Sequence, residues 1–344
     1  MKLNIGFRPS IVVAALAIVA TAFWAIASQG GVCWIALPVA VFYTLLLGLA
    51  AFAVARIAAI ERPMDWNAPG RLLILAPHED DCVISAGGLG FRNARLGGAV
   101  QIVYLARDEN PGLPERRAAE ARAAWRVAGL GENDLQFLDL MPALEKRDPE
   151  KLRHAGVALR ALIDEFRPTA IVMPAFEGGH IHHDMVAALI GSIVTPQDRF
   201  DLFEAPEYSP YVSLIHTPHR ILSLAARWLF VIVYFGEPDA VDGRHVLKVR
   251  LASEELAAKR RMLAAFVSQN APSLVATRSY PDRLVRHEHR PPRRHPFSFA
   301  FSYLRLALTL RRHLPASLVD RLLPVQLGTI GRPGTITDWD AERR

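Results

Sequence analysis

The N-terminal region has no charged side chain over a long stretch: no Asp, Glu, Lys or Arg occurs between Arg8 and Arg56. This run divides near residue 30 into two apolar segments, Ile11–Ala27 and Val32–Ala55. A helix needs about 20 apolar residues to cross a bilayer. A cleaved signal peptide would explain the first segment but not the second, longer one. We therefore expect a retained two-helix transmembrane hairpin, with spans at 11–28 and 32–55.

Basic residues flank this hairpin at its two ends. Lys2 and Arg8 precede it, Arg56 and Arg62 follow it, and the turn between the spans is uncharged. Because basic residues stay on the cytoplasmic side of a membrane, both ends of the hairpin should face the cytoplasm. We expect an integral protein of the inner (cytoplasmic) membrane of a bacterium, with its catalytic domain facing the cytoplasm.

Cysteine is scarce, with only Cys33 and Cys82 in 344 residues. Two cysteines cannot form a disulfide framework, which fits a reducing compartment. Charge beyond the hairpin is nearly balanced, with 38 of the 40 basic side chains against 34 acidic ones. The chain has neither an aromatic-interleaved basic motif nor a helix-turn-helix signature. We therefore expect no nucleic-acid partner and favour an anionic membrane surface.

From Trp66 onward, short β-like runs alternate with helical ones, which is typical of a parallel sheet covered by helices. The sequence predicts an α/β fold: a Rossmann-like three-layer sandwich with a mainly parallel sheet. The predicted strands are Leu72–Ala76, Val100–Leu105, Leu135–Leu138 and Ala170–Met173. The predicted helices are Ile84–Leu96, Pro114–Ala128, Leu152–Phe166, His183–Val194 and Ser253–Gln269.

The chain divides into three parts by this interpretation: a tail and transmembrane hairpin (1–65), the α/β domain (66–275), and a basic loop with a C-terminal helical extension (276–344). Each of two segments has two possible interpretations. Ile221–Phe235 is either a buried strand or a membrane-contacting segment. The basic loop Arg283–His295 and the helix Phe297–Leu314 either lie on a lipid surface or pack as a solvated loop and a helix on the domain.

Two clusters of polar residues follow predicted strands. Residues 78–81 (His-Glu-Asp-Asp) come directly after Leu72–Ala76, and residues 180–183 (His-Ile-His-His) follow Ala170–Met173. Ligands bind at the carboxyl ends of parallel strands, where two such ends can converge. A lone histidine there is usually structural, and a histidine-rich turn at a helix start usually lies on the surface. Four successive ionisable groups, however, are costly to bury without a cation.

Zinc prefers imidazole and carboxylate ligands, and a catalytic site keeps three of them with an open position for water. His78, Asp81 and His183 would supply such a set. Residues 77–81 (Pro-His-Glu-Asp-Asp) also resemble the Pro-His-Pro-Asp-Asp-Glu motif of the PIG-L/LmbE-like N-acetylglucosaminyl deacetylase family, and residues 179–183 resemble its His-x-x-His motif. The Arg117-Ala-Ala-Glu120 run and the Val-Ser-Gln ending at Gln269 agree with this family, and the resemblance covers Arg71 to Gln269.

The resemblance implies a Zn²⁺ cofactor and a role for each motif residue. It makes His78, Asp81 and His183 the zinc ligands. It also makes Asp80 the general base and His180 the group that stabilises the oxyanion. The family further implies the substrate class, an N-acetylated sugar or glycolipid.

Three positions depart from the family motifs. Glu79 replaces the second proline, Cys82 replaces the terminal glutamate, and His182 stands where Asp is common. For His182 we favour a solvent-exposed position over a supporting contact near the metal. The corner Asp139–Pro142 differs from the Pro-Asp pair of many relatives, which leaves the sugar unidentified. Arg117 is a candidate substrate contact, although we weigh an intrahelical pair involving Glu120 slightly higher.

These features predict a membrane-anchored zinc-dependent hydrolase that removes the acetyl group from an N-acetylated amino sugar. Tethering enzyme and substrate to one surface raises their effective concentration, so lipid- or carrier-linked N-acetylglucosamine is the expected substrate. Two alternatives stay open. Neither motif specifies the acyl group, so the enzyme could be a zinc hydrolase of another amide or ester. The other is a catalytically decayed membrane-bound glycan-binding protein, supported only by Glu79 and Cys82.

Overall fold

The fold is described from a computed structural model. Its described residues are 3–5, 9–107, 110–140, 149–176, 181–206, 214–216, 244–269, 271, 282–289, 310, 313–315 and 317–319. Its helices there are α1 (Pro9–Ala27), α2 (Leu37–Ile60), α3 (Asp81–Arg95), α4 (Leu113–Arg126), α5 (Pro149–Phe166), α6 (Ile181–Ile193) and α7 (Ser253–Ala265). Its strands there are β1 (Leu3–Ile5), β2 (Glu61–Met64), β3 (Arg71–Ala76), β4 (Ala99–Tyr104), β5 (Leu135–Phe137), β6 (Ala170–Pro174), β7 (Asp201–Ala205), β8 (Leu214–His216), β9 (Val246–Val249) and β10 (Asp282–Arg286).

Eight of these strands form one sheet, in the order β2-β9-β10-β7-β6-β3-β4-β5. Strand β10 is antiparallel to both of its neighbours, and the remaining pairs of this sheet are parallel. Strands β1 and β8 form a separate antiparallel pair. The main sheet is therefore mixed but mainly parallel.

The core lies on both faces of this sheet because side chains alternate along each strand. Leu72, Ile74 and Ala76 of β3 pack with α3, α4 and α7 on one face. Leu73 and Leu75 pack with α5 and α6 on the other. Helices therefore cover the sheet on both sides, an arrangement consistent with the predicted Rossmann-like sandwich.

The predicted elements from Leu72 to Val194 all form, and each bound lies within three residues of its expected position. Two helices begin three residues earlier than predicted: α3 at Asp81 instead of Ile84, and α5 at Pro149 instead of Leu152. A carboxylate is favourable in the first turn of a helix because it faces the positive end of the helix dipole. The polar cluster thus belongs partly to the helix, although its sequence suggested a loop. The last predicted helix, Ser253–Gln269, ends four residues early, at Ala265.

Part of the predicted basic loop is instead a strand. Residues Asp282–Arg286 form β10 inside the sheet, with Leu284 and Val285 fully buried. The flanking arginines are paired with acids of other strands: Arg283 Nε donates to Glu61 of β2 (2.9 Å), and Arg286 forms an ion pair with Asp201 of β7. These pairings explain why so basic a segment is accommodated there.

The N-terminal helices α1 and α2 are joined by a short 3-10 turn, Gly31–Ala36. They contact each other through stacked rings of Phe23 and Tyr43 (centroids 5.8 Å apart) and through a hydrogen bond from Trp24 Nε1 to Thr44 Oγ1 (2.9 Å). One stretch in the described residues, Cys33–Phe52, is long and apolar enough to cross a membrane, with a mean hydropathy of 2.3. The apolar stretch of α1, Val13–Ala27, is shorter.

Helix α2 continues directly into the sheet. Its last residue, Ile60, is buried against Val246 of β9 and Val285 of β10, and β2 begins at the next position. Strand β2 then pairs with β9 over Glu61–Met64. Ile221–Phe235, the basic loop beyond residue 289 and most of Phe297–Leu314 lie outside the described residues.

Candidate metal centre and its surroundings

The two polar clusters of the sequence meet at the carboxyl ends of neighbouring strands. Strand β3 ends at Ala76 and pairs in parallel with β6, which ends at Pro174. His78–Asp81 therefore lie beside the start of α6, which carries His182 and His183 in its first turn. This edge of the sheet is where ligands bind in parallel α/β folds.

His78, Asp81 and His183 form a compact group of possible metal ligands. One ligand atom from each lies within 4.8 Å of the others. Asp81 Oδ2 is 2.9 Å from His78 Nδ1 and 3.2 Å from His183 Nε2. Ligand atoms around a tetrahedral zinc, each about 2.0–2.1 Å from the metal, are about 3.3 Å apart. The spacing of these donor atoms and their chemistry therefore fit a zinc ion.

The charge of Asp81 is stabilised by the two histidines. Burial by itself would raise the pKa of Asp81, but the charges of His183 and His78 and hydrogen bonds from them hold that pKa well below its usual range. The backbone N–H of His78 also donates to Asp81 Oδ2 (2.9 Å). Asp81 is accordingly a carboxylate, the form that binds a metal.

His182 is buried beside the ligands, so the expectation that it is exposed to solvent is wrong. Its side chain lies 2.8 Å from His78, from Nδ1 to Nε2, and the residue is 9% exposed. It belongs to the first turn of α6, which follows a buried strand, and this places it inside the cluster. If His78 Nδ1 holds a metal, His78 Nε2 carries the proton and donates it to His182 Nδ1. A partner of this kind fixes the tautomer and the ring orientation of a metal-binding histidine.

Asp80 is buried and is held from a distant part of the chain. Gln269 Nε2 donates to Asp80 Oδ1 over 2.6 Å, although the two residues are 189 positions apart. Gln269 lies in the turn that follows α7, and its Oε1 is buried without a hydrogen-bond partner among the described residues. The Val-Ser-Gln ending is recognisable in the sequence, but no local pattern links Gln269 to Asp80.

Glu120 of α4 fixes the turn that carries Gln269. Its two carboxylate oxygens accept hydrogen bonds from the backbone N–H of Ser268 (2.9 Å) and from Ser268 Oγ (2.6 Å). Arg116 lies one turn earlier on α4, with its Nε 3.4 Å from Glu120 Oε1. Glu120, Ser268 and Gln269 thus form a chain of contacts that ends on Asp80.

Cys82 is a core residue and not part of the polar cluster. Its Sγ receives a hydrogen bond from Trp125 Nε1 (3.2 Å) and lies 3.2 Å from Tyr104 Oη. Burial raises the pKa of this thiol above its usual value, so it stays protonated. The replacement of the motif's glutamate at this position therefore leaves the metal ligands untouched.

His180 lies outside the described residues, as do Met141 and Pro142 of the Asp139–Pro142 corner. Arg117 is partly buried on α4. Its neighbour Arg116 forms an ion pair with Glu120.

A comparison with protein families found a match, and it covers the strands and helices that carry the candidate metal centre. Residues 73–194 match the family model described as "PIG-L: GlcNAc-PI de-N-acetylase". These residues are a PIG-L domain. The match includes His78, Asp80, Asp81 and His183, whereas Gln269 lies outside it. The description of this model names a de-N-acetylase of GlcNAc-PI.

Solved structures that are similar to this chain include two that are named as deacetylases. The A40926 pseudoaglycone deacetylase Dbv21 is 19% identical, with coverage of 58% of this chain and 82% of that one and a TM-score of 0.41. The N,N'-diacetylchitobiose deacetylase from Pyrococcus horikoshii is 16% identical, with coverage of 67% and 88% and a TM-score of 0.34. The conserved protein TT1542 from Thermus thermophilus is 22% identical, with coverage of 67% and 99% and a TM-score of 0.34. Among curated proteins, no match was found.

Proposed function

We propose that this protein is a membrane-anchored, zinc-dependent N-deacetylase that removes the acetyl group from a lipid- or carrier-linked N-acetylated amino sugar. The main support is the grouping of His78 Nδ1, Asp81 Oδ2 and His183 Nε2 at the sheet edge, with a separate buried carboxylate, Asp80, next to Asp81. Three protein ligands leave a fourth position open, which is the pattern of catalytic zinc sites.

A zinc ion held by these three side chains would lower the pKa of a water molecule to about 7 and polarise the acetyl carbonyl. Asp80 takes the proton from the attacking water and returns it to the leaving amine. The hydrogen bond from Gln269 holds the Asp80 carboxylate in position for both transfers. His182 acts through His78, whose ring it orients.

Two further roles complete the proposal for the reaction. His180 stabilises the negative charge that develops on the carbonyl oxygen, and removal of such a donor typically costs about 10²- to 10³-fold in rate. Arg117 contacts a hydroxyl or phosphate group of the substrate. The role of His180 rests on the family motif, and that of Arg117 rests on its position near the start of α4.

The metal and base assignments are tested on the purified full-length protein by metal analysis and acetate release. We expect His183→Ala to lose stoichiometric zinc and activity. We expect Asp80→Ala to keep zinc and lose activity, because Asp80 is not a ligand. His154→Ala, which changes an exposed histidine of α5, serves as the matched control and should retain both. Stoichiometric zinc in the His183 variant would refute the ligand set, and full activity of the Asp80 variant would refute the base.

The membrane anchor is proposed to be the α1–α2 hairpin. Large apolar side chains on it are exposed, including Ile18, Trp34 and Leu45, whereas small residues such as Ala20 and Ala40 are buried. Small residues at a helix contact are typical of helix pairs in membranes. The hairpin joins the sheet at β2 without a linker, which would keep the domain at the cytoplasmic surface, close to lipid-linked substrates.

The acyl group and the sugar are tested with a panel of N-acetylated substrates. We expect acetate release from N-acetylglucosamine conjugates and a higher rate when the conjugate and the enzyme share one vesicle. Release from simple amides or esters at equal rates would instead support a zinc hydrolase of broader class.

A further inference from the structure

A pocket of about 290 Å³ opens beside the candidate metal centre, at the carboxyl ends of β4 and β5. Its wall includes Glu79, which lies between His78 and Asp80 in the chain. Three residues on one stripe of α4 also line the pocket: Pro114, Ala118 and Arg122. Because Ala118 has only a methyl side chain, the pocket has space in front of this stripe.

The lining of the pocket combines an aromatic ring with two ionisable groups. Phe137 stacks on Tyr104 (centroids 4.7 Å apart), and the Arg122 guanidinium carbon lies 5.1 Å from the centre of the Phe137 ring. Glu79 is buried, with 2% exposure. Arg122 Nε is buried without a hydrogen-bond partner in the described part of the chain. A buried donor without a partner is costly, so this N–H is suited to an acceptor on a ligand.

The charges that line the pocket are balanced. Arg107 and Glu115 form an exposed ion pair of 2.5 Å. With Arg122 and Glu79, the lining carries two guanidinium and two carboxyl groups, so a small anion gains little net attraction. A hydroxyl group both donates and accepts hydrogen bonds. Adjacent hydroxyls can therefore bind Glu79 and Arg122 together, while the apolar face of a ring packs on Phe137.

We propose that this pocket binds the hydroxylated sugar ring of the substrate, with Glu79, Arg122 and Phe137 as its specificity-determining residues. The volume is close to the lower limit of ligand pockets, about 300 Å³, and suits a single ring. The proposal rests on the proposed function, since it places the ring beside the centre that cleaves its acetamide. It also gives a role to Glu79, the residue that departs from the proline of the family motif.

The test is sugar binding to full-length, zinc-loaded protein that carries Asp80→Ala, so that bound substrate is not consumed. N-acetylglucosamine is titrated by calorimetry, with acetamide as a ligand that has no ring and inorganic phosphate as an anion. We expect Arg122→Leu to raise the Kd for N-acetylglucosamine at least tenfold and to leave acetamide binding unchanged. Arg126→Leu, which changes an exposed residue one turn further along α4, should leave both unchanged.

A second variant separates loss of the pocket from loss of a charge. Ala118→Leu fills the pocket and leaves its charges in place, so it should also weaken sugar binding while thermal unfolding and zinc content are retained. Unchanged sugar affinity in both variants would overturn the proposal, as would phosphate binding that depends on Arg122. Failure of the proposed function would look different: the protein with Asp80 intact would release no acetate, although sugar binding would still depend on Arg122.

Discussion

Removing the amide of Gln269 should slow catalysis without removing the metal. Gln269→Met keeps the length of the side chain but deletes the hydrogen bond from Nε2 to Asp80 Oδ1, which spans 2.6 Å. Asp80 is 3% exposed, so water cannot easily replace this donor. The candidate ligand group consists of His78, Asp81 and His183, and Gln269 is not a member of it, so zinc binding should be retained.

The size of the effect follows from the type of hydrogen bond. A hydrogen bond to a charged group contributes about 1.5–3 kcal/mol. Each 1.36 kcal/mol of transition-state stabilisation corresponds to about tenfold in rate. If the full contribution is used to position the base, kcat should fall about 10- to 150-fold. KM should change little because Gln269 acts on the base.

Glu120 should act through the same contact. Glu120→Ala removes both acceptors of Ser268 and releases the turn that carries Gln269. The double variant should therefore be no slower than the slower single variant, which is the mark of two residues that act through one interaction. Arg116→Ala is the matched control and should leave kcat nearly unchanged. The Arg116 side chain is largely exposed, so its ion pair with Glu120 contributes only about 0–1 kcal/mol to stability.

Steady-state acetate release gives kcat and KM, and metal analysis and thermal unfolding confirm that each variant is folded and loaded. Two results would refute the reasoning: multiplicative effects of Glu120→Ala and Gln269→Met in the double variant, or a normal kcat for Gln269→Met at full zinc occupancy.

Three further predictions concern His182, the contacts of Glu204 on β7, and the membrane. His182→Ala should weaken zinc binding about 10- to 100-fold in a chelator competition, and His182→Asp should restore it because an acceptor for His78 returns. Burial would raise the pKa of Glu204, but hydrogen bonds from His287 and Arg244 lower that pKa below its usual value. Ionised Glu204 therefore stabilises the fold at any pH above the unfolded-state pKa. This contribution is lost as the pH falls through the folded-state pKa. Arg244→Ala should lower the free energy of unfolding by about 1–3 kcal/mol at pH 7 and shift the midpoint of acid unfolding to higher pH. Circular dichroism measures this midpoint, and an unchanged midpoint would contradict the prediction. A reporter fused to the C-terminus should give a cytoplasmic signal, and a periplasmic signal would reverse the proposed topology.

The sequence predicted the centre of the sheet because its strands and helices carry strong local patterns. Strands β3 and β6 are continuous apolar runs, and each is followed by a helix with a regular apolar face. Strands β2, β9 and β10 have no such pattern. They are short and contain charged residues, and they are held by partners far along the chain, as in the contact between Arg283 and Glu61, which are 222 positions apart. Pairings of this kind are tertiary and leave little local trace.

The candidate ligands could be predicted for a related reason. Each histidine or aspartate follows a recognisable strand, and parallel strands bring their carboxyl ends to one edge. The contacts that orient them could not be predicted. His182 looked like a surface residue because a histidine-rich turn usually is one, and only the placement of α6 against β3 shows that it contacts His78. Gln269 required knowledge of how α7 packs beside α4.

The three departures from the family motif affect different parts of the molecule. Cys82 contacts Tyr104 and Trp125 in the core, where a buried thiol substitutes for a larger polar side chain without a charge to satisfy. His182 lies against a ligand and supplies an acceptor nitrogen where a carboxylate is common. Glu79 lines the pocket beside the centre. A decayed site would be expected to lose its ligands or its base first, because these side chains are costly to keep buried without a function. In this chain His78, Asp80, Asp81 and His183 are all present. The three departures lie in the core, against the candidate ligand His78 and in the pocket. This distribution favours the proposed function over a decayed site.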